Sequence, residues 1–160
     1  MKTLRRHKTS VVLISVMVFA IALYFFIVPI LTEKANAPTD TPPSPLVLLQ
    51  QNDWVWQDAT LPDSTAIQPE NSGQFVLKFN DGDVSSSTDC NTIRGTYKTK
   101  DTTLTFLDVS ITEKGCPGSQ DTDYFDYLAK TVMYTIKKNT LTLTADDGTI
   151  MIFTKMEKEQ

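Results

Sequence analysis

The polar stretch DVSSSTDCNTIRGTY, residues 83–97, contains the side chains most suggestive of chemistry. It holds a run of four hydroxyl side chains, residues 85–88, and one of the two cysteines, Cys90. A serine or cysteine nucleophile needs a neighbouring base, most often histidine, to accept its proton. The single histidine is His7, which precedes a segment that we predict to span a membrane, so no such pair is available after that segment. We therefore predict that the hydroxyl run lies on a solvent-facing strand.

Three carboxylates, Asp81, Asp83 and Asp89, lie close in sequence and could converge for acid–base chemistry or calcium binding. However, Asp81 and Asp83 flank Gly82 in a predicted turn, where aspartate is favoured for backbone reasons. Their spacing also differs from that of the twelve-residue calcium loop, and the DDG sequence at 146–148 has the same turn character. Two cysteines without an accessible histidine rarely make a zinc site. We therefore predict no catalytic residue, no metal site and no cofactor.

An apolar run of 21 residues without a charge, 11–31, precedes all of these side chains. A helix of that length spans about 30 Å, which is the thickness of the hydrocarbon core of a bilayer. Residues 1–10 carry four basic and no acidic residues, so we place them in the cytoplasm and everything after Leu31 outside, in the periplasm or extracellular space. The run exceeds the apolar region of a signal peptide, and we predict an uncleaved single-pass signal anchor. The alternative is cleavage after Ala37, in the ANA sequence at 35–37, which would release a secreted domain.

The exported part of the chain differs from the N-terminus in its charge and in its cysteine chemistry. From Ala35 onward it contains 10 basic and 18 acidic residues, a balance that does not attract nucleic acid. Paired cysteines outside the cytoplasm are more often bridged than free, and Cys90 and Cys116 are the two available. We predict that they form a disulfide. Closing a loop of about 27 residues would stabilise the fold by about 3–4 kcal/mol through lost entropy of the unfolded chain.

A proline-rich segment, residues 32–52, separates the apolar run from a strand-rich region. Four of its prolines lie between 38 and 45, which predicts a stiff linker; its apolar residues 46–49 belong either to that tether or to an added edge strand. From 53 to 155, apolar and polar residues alternate in short segments separated by turn sequences such as NDGD, KKN and DDG. Residues 156–160 form a tail. The side chains predicted to face inward are those of Trp54, Trp56, Phe75, Leu77, Phe79, Tyr97, Leu104, Phe106, Leu141, Leu143 and Ala145.

One segment, residues 121–133, departs from the two-residue period. Phe125, Leu128, Ala129 and Val132 recur at helical spacing, and acidic residues in the first turn favour a helix N-terminus. The sequence thus predicts a mainly β, α+β fold with one helix inserted before the last three strands. The arrangement that buries these faces is a small antiparallel curled sheet or partly open barrel of about eight strands.

Several segments, in this order, resemble the META domain family, which includes the HslJ-like lipoproteins. They are WVW, FVLKFNDGDVS, DCNTIRGTY, LTF, ITEKGC, DYFDYL and LTLTADDGTIMIF, within residues 53–155. The positions of this chain that correspond to the family motif are Trp54, Asp89, Cys90, Asn91, Gly95, Tyr97, Thr112 and Cys116. It implies a tight turn at Asn91, a bend at Gly95 where the next strand begins, and a disulfide that pins the helix-bearing connection to the sheet. The family often has glycine where Asp89 stands, and its lipid-attachment cysteine is replaced here by the predicted anchor.

The resemblance also implies a non-enzymatic envelope protein linked to stress tolerance and to resistance to some antibiotics. Two functions of different classes follow. One is a tethered interaction module that binds another envelope protein through an exposed β-surface or strand edge. The other is a carrier that encloses a lipid or small apolar ligand inside the barrel, as the tryptophan pair Trp54 and Trp56 would allow. In both, the membrane is engaged through residues 11–31, and nucleic acid is not a partner.

Overall fold

Nine β-strands and two α-helices form the part of the chain that the structure, a computed structural model, describes: residues 42–156. The helices are α1, Pro45–Gln51, and α2, Asp121–Ala129, and a short 3₁₀ helix spans Ser72–Gln74. The strands are β1 (Trp54–Thr60), β2 (Ala66–Ile67), β3 (Val76–Asn80), β4 (Asp83–Ser87), β5 (Thr92–Lys100), β6 (Thr103–Ile111), β7 (Thr131–Lys137), β8 (Thr140–Ala145) and β9 (Ile150–Lys155).

The sheet closes on itself through β1. Each strand from β3 to β9 pairs antiparallel with the next strand along the chain, and β9 pairs with β1 from Trp54↔Lys155 to Thr60↔Ile150. At its other edge β1 pairs with β3 and with the two-residue strand β2. Strand β2 pairs with β1 alone, and the other eight strands form a closed antiparallel barrel. The sequence predicted a curled sheet or a partly open barrel. The fewest bridge pairs join β6 to β7, which share one, Thr103↔Met133.

Side chains fill the inside of this barrel. All eleven residues predicted to face inward are buried, as the alternating pattern required. The aromatic rings among them contact one another and the second helix: the ring centroid of Trp56 lies 5.1 Å from that of Phe75 and 5.0 Å from that of Tyr124. Burial of side chains of this size stabilises the fold by about 1.5–3 kcal/mol each, so the barrel interior is the main source of stability.

Three of the hairpins form at the turns that the sequence predicted. Asp81 and Gly82 connect β3 to β4 with φ angles of 44° and 91°, the left-handed conformation that tight hairpin turns require. Lys138 adopts φ 55° between β7 and β8, and Gly148 adopts φ 92° between β8 and β9. These turns fix the register of the strands on either side of them.

Helix α2 is shorter than the predicted helix of residues 121–133. It ends at Ala129, and Thr131 already pairs with Ala145 as part of β7. Val132, expected on the apolar face of the helix, is instead 36% exposed on the strand. The prediction was wrong because the helical spacing of apolar residues continues to Val132. Thr131 and Val132 have branched side chains that favour strands.

Part of the predicted linker, residues 32–52, belongs to the folded domain. Ser44 caps helix α1 by accepting a hydrogen bond from the backbone N–H three residues on, and Pro45 opens the first turn. Leu49 is fully buried, and its carbonyl oxygen accepts a hydrogen bond of 3.0 Å from the indole N–H of Trp54. The prediction of a tether or edge strand here was therefore wrong: the apolar residues are the buried face of a short helix.

The two helices cover opposite ends of the barrel. Helix α1 precedes the start of β1, and its Gln50 donates a hydrogen bond of 2.8 Å to the hydroxyl of Tyr97. Helix α2 crosses the other end, where β4 stops, and the hydroxyl of its Tyr124 lies 3.0 Å from that of Ser86. The helix predicted within residues 53–155 is therefore one of two helices in residues 42–156 that cover the ends of the barrel.

No helix within residues 42–156 is long and apolar enough to cross a membrane. The predicted signal anchor, 11–31, lies outside the described residues, together with the basic segment 1–10 and the ANA sequence at 35–37.

Candidate functional site

The hydroxyl run, residues 85–88, alternates between the two faces of β4 and continues into the following turn. Ser86 is 1% exposed because it faces Tyr124 of α2, and Thr88 is 9% exposed. The Thr88 hydroxyl donates to the backbone carbonyl of Asn91, at 2.8 Å, and accepts from the backbone N–H of the same residue, at 2.7 Å. The predicted solvent-facing strand is thus wrong for Ser86 and Thr88, since the end of β4 is covered by α2.

Asn91 is the centre of a buried hydrogen-bond network. Its side-chain Nδ2 donates to Asp121 Oδ2, at 2.5 Å, and to the backbone carbonyl of Lys114, at 3.2 Å. Its Oδ1 accepts from Thr112 Oγ1, at 2.7 Å, and from the backbone N–H of Lys114, at 2.9 Å. These four bonds use the full donor and acceptor capacity of an amide side chain. Asn91 therefore ties the turn before β5 to the segment after β6 and to helix α2.

Asp89 anchors the start of helix α2. Its carboxylate accepts hydrogen bonds from Ser119 Oγ, at 2.6 Å, and from the backbone N–H of Gln120, at 2.9 Å. A carboxylate that binds backbone N–H groups just before a helix satisfies donors that the helix leaves unpaired and complements its dipole. This role accounts for aspartate at a position where the resembling family often has glycine.

The carboxylate of Asp121 is buried, with 6% of the residue exposed. Burial disfavours its charged form, but hydrogen bonds from Asn91, Ser119 and Thr122 outweigh this cost and hold the pKa of Asp121 below its ordinary value. Asp121 is thus an ionised acceptor inside the network, and its position does not suit a general acid. The sequence did not predict Asp121 as a site residue. Its position in the first turn of the predicted helix was already explained by the favourable interaction of a carboxylate with the helix dipole.

The three carboxylates considered for chemistry do not converge. Asp81 and Asp83 lie at the β3–β4 hairpin, whereas Asp89 follows the opposite end of β4. A strand rises about 3.3 Å per residue, so the two ends of the five-residue strand β4 are about 13 Å apart. The arrangement supports the predicted surface turns for Asp81 and Asp83 and a capping role for Asp89.

Cys90 and Cys116 form a disulfide, with their Cα atoms 6.1 Å apart. It joins the turn before β5 to the connection between β6 and α2, directly beside the Asn91 network. The predicted pairing is therefore confirmed, as is the prediction that it pins the helix-bearing connection to the sheet.

Gly95 lies within β5, rather than at the bend where that strand begins. A Cβ atom added there would lie 2.6 Å from Val109 Cγ1 and 2.8 Å from Val109 Cα, closer than side chains approach backbone. The register between β5 and β6 shifts at this point, and Asp108 adopts φ 51° opposite it. Glycine is needed because the bulge of β6 presses against the β5 backbone.

Trp54 and Tyr97, the remaining aromatic residues of the motif, connect the barrel to α1. The indole of Trp54 donates to the carbonyl of Leu49, and the hydroxyl of Tyr97 accepts from Gln50. Both rings are buried in the core. The motif residues thus all act in architecture: two hold α1, Asp89 anchors the start of α2, and the others form the Asn91 network, the disulfide and the bulge.

A different surface carries polar groups that are open to solvent. The outer faces of β3, β4 and β5 form a shallow groove of about 390 Å³, which we call the β3–β5 groove. Its polar lining consists of Lys78, Asn80, Asp83, Ser85 and Arg94. The sequence did not predict a site on this surface. The sequence signal for it is the alternation of apolar and polar residues along β3. Lys78 lies between the buried residues Leu77 and Phe79, and its side chain therefore points outward.

Residues 47–158 match the META domain family. The chain belongs to the META domain family. This match confirms the family resemblance that the sequence motifs indicated. It also includes most of helix α1, which we had assigned to the linker from the sequence.

Two solved structures share the fold of this META domain. A protein from Burkholderia xenovorans, determined by NMR, is 22% identical with a TM-score of 0.61, and the alignment covers 77% of this chain and 97% of that one. A DUF4847 family protein from Bacteroides vulgatus is 18% identical with a TM-score of 0.54, covering 71% and 98%. At these identities the likeness concerns the fold alone. No curated protein matches the sequence.

Proposed function

We propose that this META domain protein is a membrane-tethered, extracytoplasmic and non-enzymatic interaction module that binds another envelope protein through its outer surface. The observation that carries the proposal is the filled interior of the barrel. Trp54, Trp56 and Phe153 are at most 1% exposed, and helices cover both ends. Recognition by such a domain takes place on the outside.

The buried polar groups favour the same conclusion. The side chain of Asn91 makes four internal hydrogen bonds, and the carboxylates of Asp89 and Asp121 are held by neighbouring donors. A catalytic group must instead be free to contact a substrate and exchange protons with it. The motif that looks most chemical in the sequence is thus better explained as a structural connection.

The proposed location combines two independent supports. The disulfide between Cys90 and Cys116 suits an oxidising compartment outside the cytoplasm. The apolar run 11–31 and the basic residues before it supply the predicted anchor. The link with envelope stress or drug tolerance comes from the family resemblance.

A carrier of a lipid or small apolar ligand is less well supported. The rings that would line its cavity contact one another: Phe75 lies 5.2 Å from Tyr124, and Phe79 lies 5.0 Å from Tyr97, between ring centroids. A ligand would have to displace these rings at the cost of their packing.

The test is chemical cross-linking in intact cells, followed by mass spectrometry of the full-length chain purified without reduction. A discrete adduct with the mass of a second polypeptide is expected. Absence of any such adduct would contradict the proposal, and native mass spectrometry of uncross-linked protein showing a bound small molecule would favour the carrier instead.

A further inference from the structure

The β3–β5 groove presents two basic side chains on either side of a hydroxyl group. The strand register places Lys78 opposite Ser85, and Ser85 opposite Arg94, so the three outward side chains form one row across the strands. With neighbouring strands about 4.8 Å apart, the Cα atoms of Lys78 and Arg94 are separated by about 10 Å. The groove opens to solvent, so a ligand can enter it from outside the protein.

The charge of this face is opposite to that of the domain. Residues 42–156 contain 9 basic and 15 acidic residues. Strand β5 nevertheless carries Arg94, Lys98 and Lys100 on exposed positions and no acidic residue. An anionic partner is therefore attracted to this face by local charge, against the net charge of the domain.

Arg94 is the group in the groove that is most available to a ligand. Among residues 42–156 its guanidinium has neither an ion pair nor a hydrogen-bond partner, whereas Lys78 is paired with Asp53 at 2.7 Å. A guanidinium offers five donors in a planar fork that fits a carboxylate bidentately. Asp83 also lines the groove, and its carboxylate would repel a negative group of the ligand placed beside it.

We propose that the β3–β5 groove binds an acidic stretch of a protein partner, with one carboxylate on Arg94 and a second near Lys78. The proposal deepens the proposed function and rests on it. Two acidic residues two positions apart leave an extended peptide on the same side, about 7 Å from each other. Arg94 would take one of them, and the Lys78 ammonium, which gives one of its three donors to Asp53, would offer its other donors to the second. Of the described residues that line the groove none is aromatic, so a sugar or base ring has no platform for stacking there.

The experiment measures binding of fluorescent peptides to the full-length protein by anisotropy. One peptide alternates glutamate with serine, and its matched partner carries glutamine at each glutamate position. The proteins are the wild type, Arg94→Gln, and the control Lys137→Gln, which removes an exposed charge from the end of β7, outside the groove. Circular dichroism verifies that the variants are folded.

We expect the glutamate peptide to bind the wild type and the Lys137→Gln control alike, and Arg94→Gln about tenfold more weakly, because a charge-assisted bidentate contact is lost. The glutamine peptide should bind weakly to all three. Equal affinity for both peptides, an equal loss in the control, no effect of Arg94→Gln, or no binding would each overturn the inference. A cellular cross-linked partner that survives Arg94→Gln would leave the interaction module standing while refuting this groove as its site.

Discussion

Asn91, the centre of the buried network, and Arg94, in the β3–β5 groove, lie three residues apart in sequence and differ in burial and in hydrogen bonding. Asn91 is 7% exposed, and four hydrogen bonds satisfy its side chain. Arg94 is exposed and has no internal partner among the residues that the structure describes. The short stretch of residues 83–97 thus contains both an architectural centre and, outside the family's motif residues, a polar group that remains available for binding.

The difference teaches how to separate structure from function in a chemically rich motif. Buried polar groups are costly unless they are satisfied, so a polar side chain such as Asn91 is retained at a buried position for the connections it makes. An exposed side chain such as Arg94 contributes little to stability and is free to take a ligand. Substitutions at the two places should therefore have opposite consequences for stability and for binding.

The largest effect on stability is expected from removing the disulfide beside Asn91. The double variant Cys90→Ser/Cys116→Ser should lower the free energy of unfolding by about 3–4 kcal/mol, because the unfolded chain regains the entropy of an open loop. Denaturant unfolding followed by tryptophan fluorescence measures this, since both tryptophans lie in the barrel core. Reduced wild-type protein is the matched control, and an unchanged midpoint in both would show that the bond constrains nothing.

Asn91→Ala should follow closely, with a loss of about 2–4 kcal/mol. The substitution leaves the Asp121 carboxylate and the backbone groups of Lys114 without their partner, and buried unsatisfied groups cost about 1–3 kcal/mol each. The same unfolding measurement detects it. A loss below about 0.5 kcal/mol, the effect of a typical surface substitution, would contradict the structural role of the Asn91 network.

Gly95→Ala tests the bulge of β6 that packs against β5 next to Arg94. The new methyl group would meet Val109 at less than 3 Å, so β6 must shift, at a cost of about 1–3 kcal/mol. Gly115→Ala is a suitable control because the added methyl group meets nothing within 4 Å there. Equal effects of the two substitutions on the midpoint of unfolding would contradict the close approach of the strands.

The network should also make stability dependent on pH. The pKa of Asp121 lies below its ordinary value of 3.8 in the folded state, so its ionised form stabilises the fold above that pH. This contribution is lost as the pH falls through the folded-state pKa. Between about pH 6 and about pH 3 the wild type should therefore lose more stability than Asp121→Asn, as measured by thermal unfolding at each pH. Parallel decline of the two proteins would exclude Asp121 as a source of the pH dependence.

Arg94→Gln should have the smallest effect on stability, within about 0.5 kcal/mol of the wild type. Its side chain has no partner to lose within residues 42–156. Thermal unfolding and circular dichroism establish this, and they also validate the variant for binding experiments. A large destabilisation would show that Arg94 has a structural role after all and would remove the contrast with Asn91.

The alternating core of the barrel was predictable because each strand has one buried face. Leu141, Leu143 and Ala145 illustrate this: a two-residue period and two turn sequences sufficed to assign their strand and its inner face. The closure of the sheet was not predictable, since pairing between β1 and β9 joins strands from the two ends of the domain and leaves no local signal.

The missed elements have local explanations. Helix α1 carried start signals at Ser44 and Pro45, but the prolines before it made the whole segment appear to be a linker. Val132 continued the helical spacing of α2 although it belongs to β7. The cysteine pair was identified from its residue type and Asn91 from the family resemblance, as a turn residue, whereas the contacts of Asp121 with Asn91 and the groove around Arg94 depend on neighbours that are distant in sequence.

Photo-cross-linking in intact cells tests most directly the claim that this domain recognises a partner on its outer surface while its motif serves the architecture. A photoreactive residue replaces Thr96, beside Arg94 on the exposed side of β5, or Thr142, on the uncharged outer face of β8. We predict a discrete protein adduct from position 96 that disappears with Arg94→Gln, and none from position 142. Adducts from position 142 alone, or from neither position, would contradict the account.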